Sequence, residues 1–219
     1  MLNPFRDRYE AGRVLASRLG SYAERTDALV LALPRGGVPV AFEVAQTLHA
    51  PLDVFLVRKL GVPGHEELAM GAIASGGLCV LNMDVVDGLR IPDAVIDEVA
   101  ADELRELERR EQAYRDDRPL PDVREHIVIL VDDGLATGST MRAAARALRQ
   151  QQPRRLVVAV PVAAPETCAE LRVEVDEIVC AMTPQPFRAV GYWYEDFSQT
   201  TDAEVRELLA RSSAPQTPV

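Results

Sequence analysis

The chain has 219 residues, 47% hydrophobic and 26% charged, which suits one globular domain with a sizeable core. Its formal net charge of −10 argues against general nucleic-acid binding, which needs a basic face, but leaves room for a small phosphorylated ligand held locally. Cys79, Cys168 and Cys180 are odd in number and lack CxxC spacing, so neither a disulfide framework nor a zinc site is expected. The charged start MLNPFRDRYE carries no apolar leader, and no run nears the roughly 18–20 apolar residues of a membrane helix, so a cytoplasmic protein without membrane partners is expected.

In chain order, residues 6–19 read as an amphipathic helix with Ala11, Val14, Leu15 and Leu19 on one face. Residues 28–33 are a strand, followed by LPRGGV and a helix over 37–48. A second strand is expected at 53–57, then a mobile connection VRKLGVPGHEE, then short strands at 71–75 and 78–82 around Gly76-Gly77. Residues 92–114 form a long charged helix with Pro92 in its first turn. Its Glu/Arg-rich sequence reads as a solvated face, and its length also suits packing against a second copy in a homodimer. A polar connection at 115–125 leads to strand 127–131 and helix 141–150. Strands follow at 156–162 and 177–182 with a helix at 165–171 between them. Thr201 opens the last helix, Glu204 completes a capping box, and 212–219 is a frayed tail. The alternation predicts an α/β, Rossmann-like, mostly parallel sheet with helices on both faces, in a single domain over 1–211. Ligands of such sheets bind at the C-terminal strand ends, here the loops after Leu33, Val57, Val131 and Val160.

The densest chemistry lies in IVILVDDGLATGSTM, residues 127–141. A buried strand ends in two carboxylates, Asp132 and Asp133, and a loop of small residues, Ala136, Thr137, Gly138, Ser139 and Thr140, enters a helix. The first N–H groups of a helix lack partners and its dipole favours anions there, so such a loop can cradle a phosphate. Adjacent carboxylates would repel that phosphate; they suit sugar hydroxyls and hard cations such as Mg²⁺ instead. A ribose phosphate satisfies both halves. An ordinary polar strand-turn-helix is the plain alternative. Neither a P-loop Gly-Lys-Ser/Thr nor Gly-x-Gly-x-x-Gly is present in the loop.

VILVDDGLATGST resembles the signature of the type I phosphoribosyltransferases, which bind 5-phosphoribosyl 1-diphosphate (PRPP). The resemblance implies that Asp132 and Asp133 contact the ribose hydroxyls, and Mg²⁺ indirectly, while Ala136, Thr137, Gly138, Ser139 and Thr140 hold the 5-phosphate. Gly134 replaces a usual aliphatic residue, and Ser139 a usual Gly or Lys. LPRGG resembles the family's diphosphate loop, which implies Arg35, Gly36 and Gly37 as diphosphate ligands and a non-proline cis bond close to Arg35-Gly36. Arg35 is also implied as catalytic, with Asp132 and Asp133. Arg58 and Lys59 match the basic pair ahead of the flexible loop of adenine and orotate enzymes. His65, Glu66 and Glu67 are candidate acid–base groups there, although solvated loop residues are the commoner case.

TPQPFRAVGYWYEDF, residues 183–197, holds much of the aromatic content and forms the expected hood (mainly 183–199), with Phe187 against the acceptor. FRAVGYWYEDF is similar to the closing segment of 6-oxopurine enzymes, which implies a metal or diphosphate contact for Asp196. Ala136 stands where those enzymes keep an Asp, and where adenine enzymes have Ala. With FRDRYEAG, LPRGGVPVA, VRKLGVPG and AVPVA the resemblance spans nearly the whole chain. It implies Mg²⁺-dependent transfer of the phosphoribosyl group from PRPP to an unidentified nucleobase-like acceptor, as in nucleotide salvage. A non-catalytic PRPP-sensing regulator and a phosphosugar enzyme working without PRPP are the alternatives.

Overall fold

The computed structural model describes residues 3–115 and 118–213. In chain order its elements are α1 (Arg8–Arg18), β1 (Ala28–Ala32), α2 (Gly37–Leu48), β2 (Leu52–Val54), β3 (Val57–Val62), β4 (His65–Ala74), β5 (Leu78–Leu81), α3 (Met83–Leu89), α4 (Asp93–Arg115), β6 (Ile127–Val131), α5 (Ser139–Gln150), β7 (Arg155–Val162), α6 (Pro165–Leu171), β8 (Glu177–Met182) and α7 (Asp202–Ser213). Five strands make a parallel sheet in the order β2-β1-β6-β7-β8, and β3-β4-β5 make a separate antiparallel sheet. The expected α/β architecture is present.

Strands β1 and β6 are apolar at every position and buried at every position, as strands covered on both faces must be. They pair in register from Ala28↔Ile127 to Ala32↔Val131, so both chains leave the sheet at the same level. Alternate residues serve opposite cores. Val30, Ala32, Ile129 and Val131 pack in the cluster that includes Leu15, Val44 and Leu208; Leu29, Leu31, Val128 and Leu130 pack in the one that includes Met141, Leu148 and Leu171. Helix α5 buries Ala144, Ala145 and Ala147, small side chains that let its backbone lie close to the sheet.

Five expectations change. The run at 53–57, apolar after Asp53, is not one strand: the parallel strand stops at Val54, and Val57 already belongs to the antiparallel sheet. Phe55 and Leu56 bridge the two sheets, each buried in a different core cluster, with the Leu56 N–H on Ser75 Oγ at 2.9 Å. An apolar run reports burial, and burial does not reveal which sheet a strand joins. The segment expected as a mobile connection is a hairpin of β3 and β4, turned at Pro63-Gly64 with Gly64 at φ +78°. Helix α3 was not foreseen. Helix α7 includes Ser212 and Ser213, and the rest of the expected tail lies outside the described residues. At its start the Thr201 hydroxyl accepts the Glu204 N–H at 3.1 Å, but the Glu204 carboxylate takes the Tyr9 hydroxyl at 2.8 Å, so Glu204 is shared with α1. No helix among the described residues is long and apolar enough to cross a membrane.

Candidate functional site at the sheet switch point

From β1 the chain crosses to β2 on one side of the sheet; from β6 it crosses to β7 on the other. The loops after these neighbouring strands therefore diverge and leave a crevice at the C-terminal edge. LPRGG and DDGLATGST both emerge there, so two of the expected loops face each other across it.

The acidic pair sits at the floor. Asp132 Oδ1 accepts the Asp133 N–H at 2.8 Å. Asp133 Oδ2 is gripped by Arg8, from Nε at 2.9 Å and Nη2 at 2.8 Å. Arg8 is only 9% exposed; its Nη1 donates to Ser198 O at 2.7 Å and its guanidinium lies 4.0 Å from the Phe197 ring centroid. The Tyr194 hydroxyl donates to the Asp133 carbonyl at 2.6 Å, and burial beside the acids raises its pKa. Burial pushes the Asp132 carboxyl well above the usual carboxylate range, and the neighbouring Asp133 charge adds to it. Burial also raises Asp133, with Arg8 opposing. Among the described residues no group of three or more His, Cys, Asp or Glu is arranged to hold a metal.

Beyond the acids the chain is pinned on both sides of the open stretch. Leu135 bridges to Ala163, with its N–H on Val162 O and its carbonyl taken by the Ala164 N–H, both at 2.9 Å. Thr167 Oγ1 donates to Ala136 O at 2.5 Å. Gly138 has φ +72°, and a Cβ there would come within 2.6 Å of Thr167 Cγ2. No acceptor among the described residues takes the N–H groups of Thr137, Gly138, Ser139 or Thr140, and α5 has no side-chain cap. Thr137, Ser139 and Thr140 are exposed. The turn is thus rigidly held and presents free amides at a helix N-terminus, a geometry that suits an anion.

LPRGG lies directly on the acids. Gly36 has ordinary helical dihedrals, but a Cβ there would sit 2.1 Å from Asp133 Oδ2. At Gly37 it would sit 2.8 Å from Val131 O. Both glycines are explained by close approach rather than by backbone freedom. A non-proline cis bond is present at Pro34-Arg35, one bond earlier than expected. Arg35 reaches Asp202 Oδ1 at 3.7 Å, and a cleft of about 100 Å³ brings Arg35, Arg58, Arg110, Tyr114 and Thr140 together.

The hairpin cations are already paired. Arg58 contacts Glu103, with Glu106 at 3.9 Å, and Lys59 Nζ lies 3.5 Å from Glu67. Lys59 shares a cavity of about 480 Å³ with Ser139, Thr140, Arg142 and Arg146, between α5 and the antiparallel sheet. His65, Glu66 and Glu67 are exposed where β4 begins, and Glu66 accepts the Gly64 N–H at 3.1 Å. Phe187 packs beside Phe5, Val162 and Tyr194 and borders an open depression with Ala164, Pro165 and Glu166. The aromatic rings tied to the acids are Tyr194, through its hydroxyl on Asp133 O, and Phe197, through Arg8. Asp196 is exposed, and its carboxylate caps its own turn by accepting the Ser198 N–H at 2.9 Å. Sequence reasoning missed Arg8. A signal existed: it falls on the buried face of α1 with Ala11 and Leu15, at helical spacing, where a cation needs a partner.

Residues 5–192 match the family described as phosphoribosyl transferase domain. Two Mycobacterium tuberculosis proteins provisionally named phosphoribosyl transferases, from strains CDC 1551 / Oshkosh and H37Rv, are 47% identical over 95% of this chain. The chain spans 47% of their length, about half of each. The crystal structure of TT1426 from Thermus thermophilus is similar over 96% of this chain and 100% of that one, at TM-score 0.84 and 43% identity. The AQ2163 protein from Aquifex aeolicus, at 15% identity and TM-score 0.50 over 92% and 85% of the two chains, shares the fold.

Proposed function

Because this chain belongs to the phosphoribosyl transferase domain family and has the α/β fold of its type I members, we propose that it moves the 5-phosphoribosyl group of PRPP to a nitrogen base and releases diphosphate. The observation that carries the proposal is the meeting, in one crevice, of unpaired amides at 137–140, a carboxylate pair and the Arg35 turn. One ligand with a monophosphate, a vicinal diol and a diphosphate uses all three. The transferase domain is taken as residues 1–211, with the hood at 183–199.

Thr137, Gly138, Ser139 and Thr140 bind the 5-phosphate, with Ala136 at the entrance, so binding energy far from the anomeric carbon fixes its position. Asp132 and Asp133 orient the ribose through its hydroxyls. Arg35 and the Gly36 and Gly37 backbone receive the diphosphate, supported by Arg58 and Lys59 once these exchange their glutamates for it. The bond from the anomeric carbon to the diphosphate oxygen breaks, its electron pair leaves with the diphosphate, and the acceptor nitrogen forms the new bond from the opposite face, under the Phe187–Phe197 hood. The donor set suits Mg²⁺ held indirectly: acidic, oxygen-only and with too few side chains to enclose an ion. When bound with PRPP, that ion supplies charge neutralisation on the leaving group.

The test is calorimetric titration with PRPP, with and without Mg²⁺, followed by a screen of nucleobases for diphosphate release. Binding together with release in the presence of one base is expected, and the double substitution D132N/D133N should lower that release about 10²-fold or more. PRPP binding with no release for any base would favour the sensing role, and no binding would overturn the proposal.

A further inference from the structure

The two acids are not equivalent. Among the described residues Asp132 has no partner beyond its own turn, whereas Asp133 is held from three sides. Arg8 puts two nitrogens on Oδ2, the Tyr194 hydroxyl takes the main-chain carbonyl, and Gly36 lies so close that a Cβ would overlap Oδ2. Arg8 is itself fixed, stacked on Phe197 and bonded to Ser198 O. The chain just ahead of Arg8 is tied to the same segment: Phe5 donates to Trp193 O at 2.8 Å and accepts from the Glu195 N–H at 2.7 Å, and the Asp196 N–H reaches Arg6 O at 2.9 Å.

We infer that Arg8 is a positioning residue: it locks Asp133 against the Gly36 turn and joins the hood segment 193–198 to the acidic pair as one unit. The division of labour follows. Asp132 keeps its outer oxygen for the ligand, while Asp133 commits Oδ2 to fixing the distance between the two phosphate-handling loops. Losing Arg8 leaves Asp133 free to swing toward Asp132 or into the Gly36 turn, and both loops lose their register. Arg8 donates through a fork, and lysine has a single ammonium, so charge alone does not replace it.

This inference rests on the reading of the crevice as a PRPP site. The experiment is a double-mutant cycle of R8Q and D133N, read as PRPP affinity in the presence of Mg²⁺ on proteins held well below their melting temperatures. R8Q should weaken PRPP about tenfold or more in the natural background and under about threefold when D133N is already present. R8K should recover only part of the loss. Equal loss in both backgrounds, or full recovery with R8K, would overturn the role of Arg8 while leaving the PRPP site intact. Failure of the unaltered protein to bind PRPP would overturn both.

Discussion

The turn from β6 into α5 and the hairpin of β3 and β4 both border the crevice, yet they are prepared in opposite ways. In the turn, the backbone is fixed while the amides of 137–140 stay open: Leu135 is bridged to Ala163, Ala136 is held by Thr167, and no acceptor among the described residues takes the N–H groups of 137–140. In the hairpin, the groups that suit an anion are already occupied, Arg58 by Glu103 and Glu106 and Lys59 by Glu67. On the proposed reading, a phosphate would meet open amides in the turn, whereas a diphosphate at the hairpin would have to displace carboxylates from Arg58 and Lys59. The two halves would then respond to different substitutions, one preorganised and the other dependent on partner exchange.

G36A strikes the preorganised half hardest. The backbone there tolerates alanine, so any effect comes from the Cβ overlapping Asp133 Oδ2. Overpacking of this kind costs about 1–3 kcal/mol, and each kcal/mol moves the melting temperature of a domain this size by roughly 2–4 °C. PRPP affinity should fall with it by about tenfold or more, since Asp133 leaves Arg8. Unchanged melting and binding would show that the two loops are not in contact.

A smaller effect, of opposite sign for stability, is expected from D132N. The folded Asp132 carboxyl lies above its ordinary value of 3.8 because of burial and then Asp133. The stability that Asp132 contributes is therefore whole below that ordinary value and lost as pH rises through the folded value, so its charge is a cost at neutral pH. D132N should raise the melting temperature at pH 7 by about 2–4 °C, with the gain vanishing below pH 3.8. A gain that persists in acid would assign the effect to packing instead of charge. Smallest is E103Q, which removes one of Arg58's two carboxylate partners and leaves Glu106. PRPP should bind about two- to threefold more tightly with melting nearly unchanged, because partly exposed ion pairs contribute little to stability. No change in affinity would remove Arg58 from the diphosphate contacts.

What the chain reveals to inspection follows from which forces are local. Strand 127–131, helix 37–48, helix 165–171 and strand 177–182 were legible because apolar runs, helical spacing and Pro at a helix start are written in adjacent residues. The 132–140 loop was legible because its acids and small residues lie in one continuous stretch between a strand and a helix. The hairpin was not, because an apolar run such as 54–57 does not reveal which sheet its residues join. Nor was the grip on Asp133, since Arg8 lies 125 positions away and reaches it only through the packing of α1.

Residue order alone therefore sets the α/β alternation, the place of the acids and the open amides beside them, since each depends on neighbours in the chain. Packing between distant segments settles which acid is held and which is free, why Gly36 must lack a side chain, and which hairpin cations begin paired. For Asp133, Gly36 and Arg58 these depend on close contacts between segments far apart in sequence, and for Lys59 on the turn of its own hairpin. Local pattern has no term for such distances; only the folded chain sets them.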